Sequence, residues 1–280
     1  MNGKQAVIGI VRHALRVVAA VAIVSAFGAM LLPRTANAQS AQDGVAAIKQ
    51  RGKLIAGVKF DTPPFGYLND QNQPVGFDLD IVRLVAKRLG VPVQFVKVTS
   101  LTRIPMLAAG NVDLVAASMT NTPDRAKVID FSTTYFVGHQ SLMVPANSAI
   151  TGPEDLNGKR VGVQQGTTLE QTIEKLAPKA EVISFKDYDS VWLALQQGRA
   201  DAITGSEIIL HGFLKSNPNF KIVGKPFSSE PFGIGVRKGN AALVDVVNAT
   251  LQDAWKSGEY QKLYEKWFGF APTSPVGSNE

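Results

Sequence analysis

The stretch NVDLVAASMTNTPDRAKVIDF, residues 111–131, decides how the rest of the chain is read. It opens on a short apolar run, Val112, Leu114, Val115 and Ala116, of the kind that fills a strand buried on both faces. Polar residues then crowd together as Ser118, Thr120, Asn121 and Thr122. Thr122 suits an N-cap, Pro123 the first helical position and Asp124 the first turn, so the spacing predicts a short helix there. Arg125 leaves that turn beside exposed backbone N–H groups. A strand end, hydroxyls, helix N-terminal amides and a guanidinium together suit a carboxylate. The same features also fit a plain loop with a good cap and a solvated arginine, and spacing alone does not separate the two.

Upstream of this stretch the pattern alternates between strand and helix. Residues 53–58 (KLIAGV) read as a buried strand, followed by a loop that Pro63 and Pro64 stiffen. Residues 76–89 read as a helix, with Ile81, Val85 and Leu89 recurring at i, i+4 and i+8 and Gly90 ending it. A strand at 92–98 and a helix at 102–109 precede the opening stretch. The order β-α-β-α-β implies a parallel sheet with helices on its faces. In such sheets ligands gather at the C-terminal strand ends, where Lys59, Arg103 and residues 118–125 fall.

Downstream the pattern restarts. Strands are predicted at 142–144, 160–163, 181–185 and 200–204, with helices at 168–176 and 189–197 between them. A second β-α-β-α-β run makes two similar α/β lobes with a cleft between them. Gly166-Thr167-Thr168 opens the first helix of this half and offers hydroxyls and free amides to an anion, or serves as an ordinary N-cap. Ser206 and Glu207 follow a strand, where a carboxylate can meet an ammonium group, and Tyr188 either caps the cleft or packs. A later strand is expected at 232–236, then a long helix through Leu243, Val247 and Leu251 and a last one at 260–268.

The first forty residues read as an export signal. Lys4, Arg12 and Arg16 precede an apolar run at 17–32, and Ala36-Asn37-Ala38 gives the small-x-small cleavage pattern, so cleavage is expected after Ala38. The run is short for a spanning helix. No cysteine occurs, which excludes disulfides and leaves the fold to core packing. Lys4, Arg12, Arg16 and Arg34 account for four of the 29 basic residues, which leaves 25 against 23 acidic ones in the remaining 242 of 280 residues. So balanced a charge carries no argument for nucleic acid.

Catalytic and cofactor signatures are absent. His139 and His211 stand beside no nucleophile motif. No metal-ligand spacing, G-x-S-x-G or P-loop occurs. Gly233-x-Gly235 lies within a predicted strand and lacks the third glycine of a dinucleotide fingerprint. No cofactor is expected.

Several stretches resemble the periplasmic amino-acid-binding proteins of ABC importers, the solute-binding protein family 3. They are PVGFDLDIVRLVAKRLG at 74–90, TRIPMLAAGNVDLVAASMTNTPDRAKVIDFS at 102–132, RVGVQQGTT at 160–168, LQQGRADAI at 195–203 and SGEYQKLYEKWFG at 257–269. The combination of TRIP, SMTNTPDR and IVGKP is most similar to the glutamate/aspartate-binding branch. The resemblance implies a type II two-lobed fold, each lobe a mostly parallel sheet flanked by helices, with two crossover hinge strands. Lobe 1 would comprise residues 39–138 and 230–270, lobe 2 residues 139–229, and residues 271–280 a flexible tail. It implies a monomeric periplasmic protein that captures an acidic amino acid and delivers it to an inner-membrane permease with its ATPase. Presentation of the ligand to a membrane receptor would use the same cleft.

By motif matching, Arg125 would hold the α-carboxylate, with Ser118 and Thr120 as hydroxyl and backbone contacts. Arg103 and Lys59 match the cations that engage an acidic side chain. Thr167 and Thr168 match the second-lobe anion contact, and Tyr188 a polar aromatic that closes the pocket. Thr62 and Ser100 stand where branches binding basic amino acids or glutamine carry aromatic sandwich residues, an absence that disfavours those ligands. The family's ammonium-binding Asp falls at Ser206, with Glu207 one residue on. A one-residue shift in an extended segment reverses side-chain direction. Either the loop turns Glu207 to the ammonium, or the ligand is a dicarboxylate or modified amino acid without an ordinary α-amino group. An enzymatic alternative, dehydration of a prephenate-like acid, would use Glu207 as general acid.

Overall fold

The computed structural model describes residues 44–215 and 217–279. The export-signal reading of residues 1–38 and the Asp43 helix cap lie outside the described residues. No helix among those described is long and apolar enough to cross a membrane.

Two five-stranded sheets form the two lobes. In lobe 1 the order is Val93–Lys97, Leu54–Val58, Leu114–Ala116, Gly235–Arg237, Ile129–Phe131. In lobe 2 it is Glu181–Phe185, Arg160–Gln164, Ala202–Ser206, Gln140–Pro145, Phe220–Val223. In both sheets the first three strands are parallel and the fourth runs antiparallel to both its neighbours. Four strands thus point one way in each lobe. The reversed strand is in each case the one that arrives from the hinge, where Phe136–Gly138 and Glu230–Phe232 cross between lobes as an antiparallel pair.

The helix periodicity accounts for the packing. In Phe77–Leu89 the residues Ile81, Val82, Val85 and Leu89 are buried, and Gly90 ends the helix at φ 72°, its N–H donating to Ala86 and Lys87 carbonyls. Helix Ala241–Ser257 turns Leu243, Val247 and Leu251 onto the same core. Each such side chain taken from water contributes about 1.5–3 kcal/mol. The hinge is packed by aromatic rings: Phe136 and Phe232 stack at 5.6 Å, and Phe65 meets Phe136 edge-on at 4.8 Å.

Several features depart from the sequence reading, among them the strands Ile129–Phe131 and Phe220–Val223, which were not expected. The strand expected at 232–236 is two, Glu230–Phe232 and Gly235–Arg237, because the chain leaves the hinge pair for the lobe 1 sheet at Gly233-Ile234. A side chain at Gly233 would lie 2.9 Å from the Phe131 ring, so the turn runs close under it. The proline-stiffened loop belongs to a small three-stranded sheet, Asp61–Thr62, Gly66–Leu68 and Pro74–Val75. A helix not expected from the sequence, Glu207–Leu214, follows the strand at Ser206. The tail segment donates from Gly277 N to Thr134 O at 2.8 Å, and Thr134 Oγ1 donates to Asn279 Oδ1 at 2.6 Å.

Candidate functional site

The C-terminal ends of the parallel strands of both sheets face one narrow cleft at the hinge. On the lobe 1 wall, Lys59 follows the strand Leu54–Val58 and is 1% exposed. Its Nζ donates to Ser100 Oγ at 2.8 Å and, across the cleft, to Gln164 Oε1 at 2.6 Å, and lies 5.3 Å from the Tyr188 ring centre. Burial lowers the Lys59 amine to about 7. Arg103 opens the helix Arg103–Ala108 and is 2% exposed. Its guanidinium donates to Ala117 O at 2.7 Å and Ser118 O at 3.3 Å. Burial, and after it the positive charge of Arg125, press the Arg103 guanidinium below its ordinary value.

The opening stretch forms the floor. Ser118 is held at φ 46°, a left-handed conformation that costs a non-glycine residue about 1–2 kcal/mol. Asp78 holds it there, accepting the Ser118 N–H at 3.0 Å on one carboxylate oxygen and the Tyr135 hydroxyl at 2.7 Å on the other. Asp78 is wholly buried at the start of its helix, and burial raises its carboxyl to about 7. Beyond the floor, Thr122 caps the helix Pro123–Val128 by accepting the Arg125 N–H. The Arg125 guanidinium donates to Thr120 O at 2.8 Å and reaches across to Gly166 O of lobe 2 at 3.1 Å. Burial lowers its value, and the Glu230 carboxylate opposes that.

Lobe 2 contributes Gln164 at its strand end, Thr167 as N-cap of the helix Thr168–Leu176, and Tyr188 at the start of Tyr188–Gln196. Thr167 Oγ1 donates to Gln164 O at 2.7 Å, which fixes the turn. Tyr188 donates its backbone N–H to Asp61 Oδ2 of lobe 1 at 3.0 Å. Glu230, on the second crossover strand, draws both walls together. Its Oε2 accepts from Thr120 at 2.5 Å and Thr168 at 2.6 Å, and its Oε1 from Ser228 at 3.0 Å.

The structure therefore brings Lys59, Arg103, Ser118, Thr120, Thr167, Thr168, Tyr188 and Ser206 to one cavity wall, with Arg125 bridging beside it. Glu207 is not among the lining residues. It begins the helix after Ser206, and its carboxylate is 3.7 Å from His211 Nε2 on the half-exposed side of that helix. Gln164, Asp78 and Glu230 were not singled out by the sequence reading. Gln164 was legible as the first polar residue at a strand end. Asp78 reads locally as nothing more than a helix start, and Glu230 has no local signature, since Thr120 and Thr168 come from two distant segments. Among the described residues no group of three His, Cys, Asp or Glu side chains is placed to hold a metal.

Chemically the cleft is an acceptor-seeking site. Among the described residues, Lys59, Arg103 and Arg125 have no carboxylate within ion-pair distance. Four polar atoms on the wall are buried without a partner: Arg103 Nε, Gln164 Nε2, Ser118 Oγ and Ser206 Oγ. Buried polar groups are ordinarily paired, so their convergence on one cavity suits the polar groups of a ligand.

Comparison with known proteins gives the family. The family model of bacterial extracellular solute-binding proteins, family 3, matches residues 54–270. The ABC transporter glutamine-binding protein GlnH of Bacillus subtilis is 41% identical over 89% of this chain and 93% of its own. The L-glutamate/L-aspartate-binding protein of Pseudomonas aeruginosa is 34% identical over 83% of this chain and 82% of its own. Among solved structures, an ancestral arginine-binding protein bound to glutamine superposes with a TM-score of 0.76 at 42% identity, covering 79% of this chain and 99% of that one. The chain belongs to the bacterial extracellular solute-binding proteins, family 3.

Proposed function

We propose that the protein captures an acidic amino acid of the glutamate or aspartate type between its lobes and delivers it, as a periplasmic monomer, to an ABC permease with its ATPase. The observation that carries this reading is that Lys59 and Arg103 are buried on the cavity wall with no carboxylate in ion-pair distance. Buried charges are costly unless paired, and a second carboxylate on the ligand supplies the pair. Arg125 then takes the α-carboxylate, and Thr120 and Thr168 line its path. Closure removes these charges from water and performs no chemistry.

A second reading has its own support. Gln164 presents a carboxamide to the same space, with its oxygen on Lys59 and its nitrogen unpartnered, and a ligand amide matches an amide as readily as a carboxylate does. The Bacillus subtilis relative is named for glutamine. A thermal-shift screen of the twenty amino acids, with succinate and glutarate, separates the readings. A ligand at a hundred times its Kd adds about 2.7 kcal/mol to folded-state stability, so the cognate ligand stands out. Stabilisation by glutamate or aspartate supports the acidic reading. Stabilisation by glutamine alone replaces it with the amide, and stabilisation by arginine alone overturns both.

A further inference from the structure

We infer that Glu230, with the Ser206 hydroxyl beside it, is the acceptor for the ligand's ammonium group. This rests on the reading of the ligand as an amino acid. Glu230 is the only carboxylate among the described residues lining the cavity, and it is 4% exposed. Its three hydroxyl donors, Thr120, Thr168 and Ser228, occupy three of the roughly four acceptor sites a carboxylate offers. One direction remains for a donor from the ligand.

Strand register gives the geometry. Glu230 stands directly opposite Gly138 in the antiparallel crossover pair, and residues so paired project their side chains from the same face. A Cβ built at Gly138 would lie 2.9 Å from Ser206 Oγ. The Glu230 carboxylate and the Ser206 hydroxyl therefore share one face, over a backbone that carries no side chain. Ser206 Oγ is buried and has no partner in the fold, so it is free to accept a second N–H from the same ammonium.

The neighbouring contacts suit an α-amino acid rather than an isolated cation. The Thr120 carbonyl accepts from Arg125, and the Thr120 hydroxyl donates to Glu230. One residue thus ties the guanidinium that faces the α-carboxylate to the carboxylate that faces the α-ammonium. These two ligand groups sit on the same carbon and need sites a few ångströms apart. Glu207 does not compete for this role, since its carboxylate lies off the cavity.

Titration calorimetry with two ligand pairs tests the assignment: L-glutamate against glutarate, and L-glutamine against glutaramate. The members of each pair differ only by the amine. The expected result is that wild-type protein prefers the amine-bearing member, and that Glu230→Gln loses roughly 30-fold or more on it, as for a charged hydrogen bond, with under threefold change on its partner. Ser206→Ala removes a hydroxyl that bonds nothing in the fold, so it keeps the test alive should Glu230→Gln unfold. It is expected to weaken only the amine-bearing ligand, by about fivefold. Equal losses on both members, or none, overturn the assignment and leave Glu230 as a clasp between the lobes. Wild-type protein that binds glutarate as tightly as L-glutamate also overturns it, with the acidic-ligand reading intact. Wild-type protein that binds none of the four, and neither L-aspartate nor succinate, overturns both.

Discussion

Lys59 of lobe 1 donates to Gln164 Oε1 of lobe 2 at 2.6 Å, while the amide nitrogen of Gln164, equally buried, bonds nothing. The pair spans the cleft between the lobes, so under the proposed function the ligand's terminal group takes over the acceptor role that Gln164 plays toward the ammonium. The carboxamide can then donate its free N–H to the same group. Gln164→Glu would place a carboxylate on Lys59 permanently. Two like charges 4 Å apart repel by about 4 kcal/mol at an effective dielectric constant of 20. The ratio of glutamate to glutamine affinity should fall at least tenfold. An unchanged ratio by calorimetry would show that the ligand side chain does not meet Gln164.

The Lys59 amine, lowered by burial to about 7 from 10.5, should make acidic-ligand binding pH-dependent. A ligand carboxylate beside the amine raises its pKa, so the complex holds a proton that the free protein has begun to lose. Affinity is therefore full below pH 7 and declines as pH rises through 7 toward the higher value of the complex, by up to tenfold per unit. Calorimetry at pH 8 in two buffers of different ionisation enthalpy should register proton uptake, and Lys59→Met should abolish it. Uptake that survives in Lys59→Met assigns the proton elsewhere.

Asp78 predicts a second dependence, of stability rather than affinity. Its folded-state value of about 7 lies above the ordinary 3.8 because burial disfavours the charge. The folded state therefore holds this proton longer than the unfolded chain does. The stability it contributes is present below about 4 and is lost as pH rises from 4 through 7. Lys59 stays protonated in both states through most of that window and does not mask it, while Asp189, also raised by burial, adds in the same direction. Asp78→Asn keeps an acceptor for the Ser118 N–H, so Tm between pH 4 and 7 should vary less in the variant than in the wild type. Equal slopes would mean that Asp78 does not titrate in this range.

How much of this was legible follows from where each residue gets its position. Ser118, Thr120 and Arg125 lie in one continuous strand, turn and helix start, so local rules placed them on one loop. Lys59 and Arg103 could be put at strand ends because the β-α-β order fixes which ends meet. The strand at Glu181–Phe185 and the helix Thr168–Leu176 match their expected bounds, since apolar period and cap coincide there. Glu230 could not be found this way. Its side chain meets Thr120 and Thr168 only because two crossover strands, far apart in the chain, pair in one register. The same crossover broke the expected strand at Gly233, where the chain changes sheets. Local periodicity carries no information about such a switch.

Arg125 supplies the last prediction. Its guanidinium spends one N–H on Thr120 O and another on Gly166 O of the opposite lobe, so it latches the lobes, and under the proposed function it also meets the ligand's α-carboxylate. Arg125→Ala removes both contacts and leaves the bound carboxylate without its cation. Truncating one partner of a buried charge pair costs about 2–5 kcal/mol, which is some two to three orders of magnitude in Kd. Arg125→Lys keeps the charge but lacks the planar fork that reaches two acceptors at once, so it should recover only part of the loss. Comparing the free proteins by small-angle scattering separates the two roles. If the interlobe bond holds the lobes together, Arg125→Ala should be the more open of the two without ligand. Unchanged affinity in Arg125→Ala would remove the residue from the site altogether.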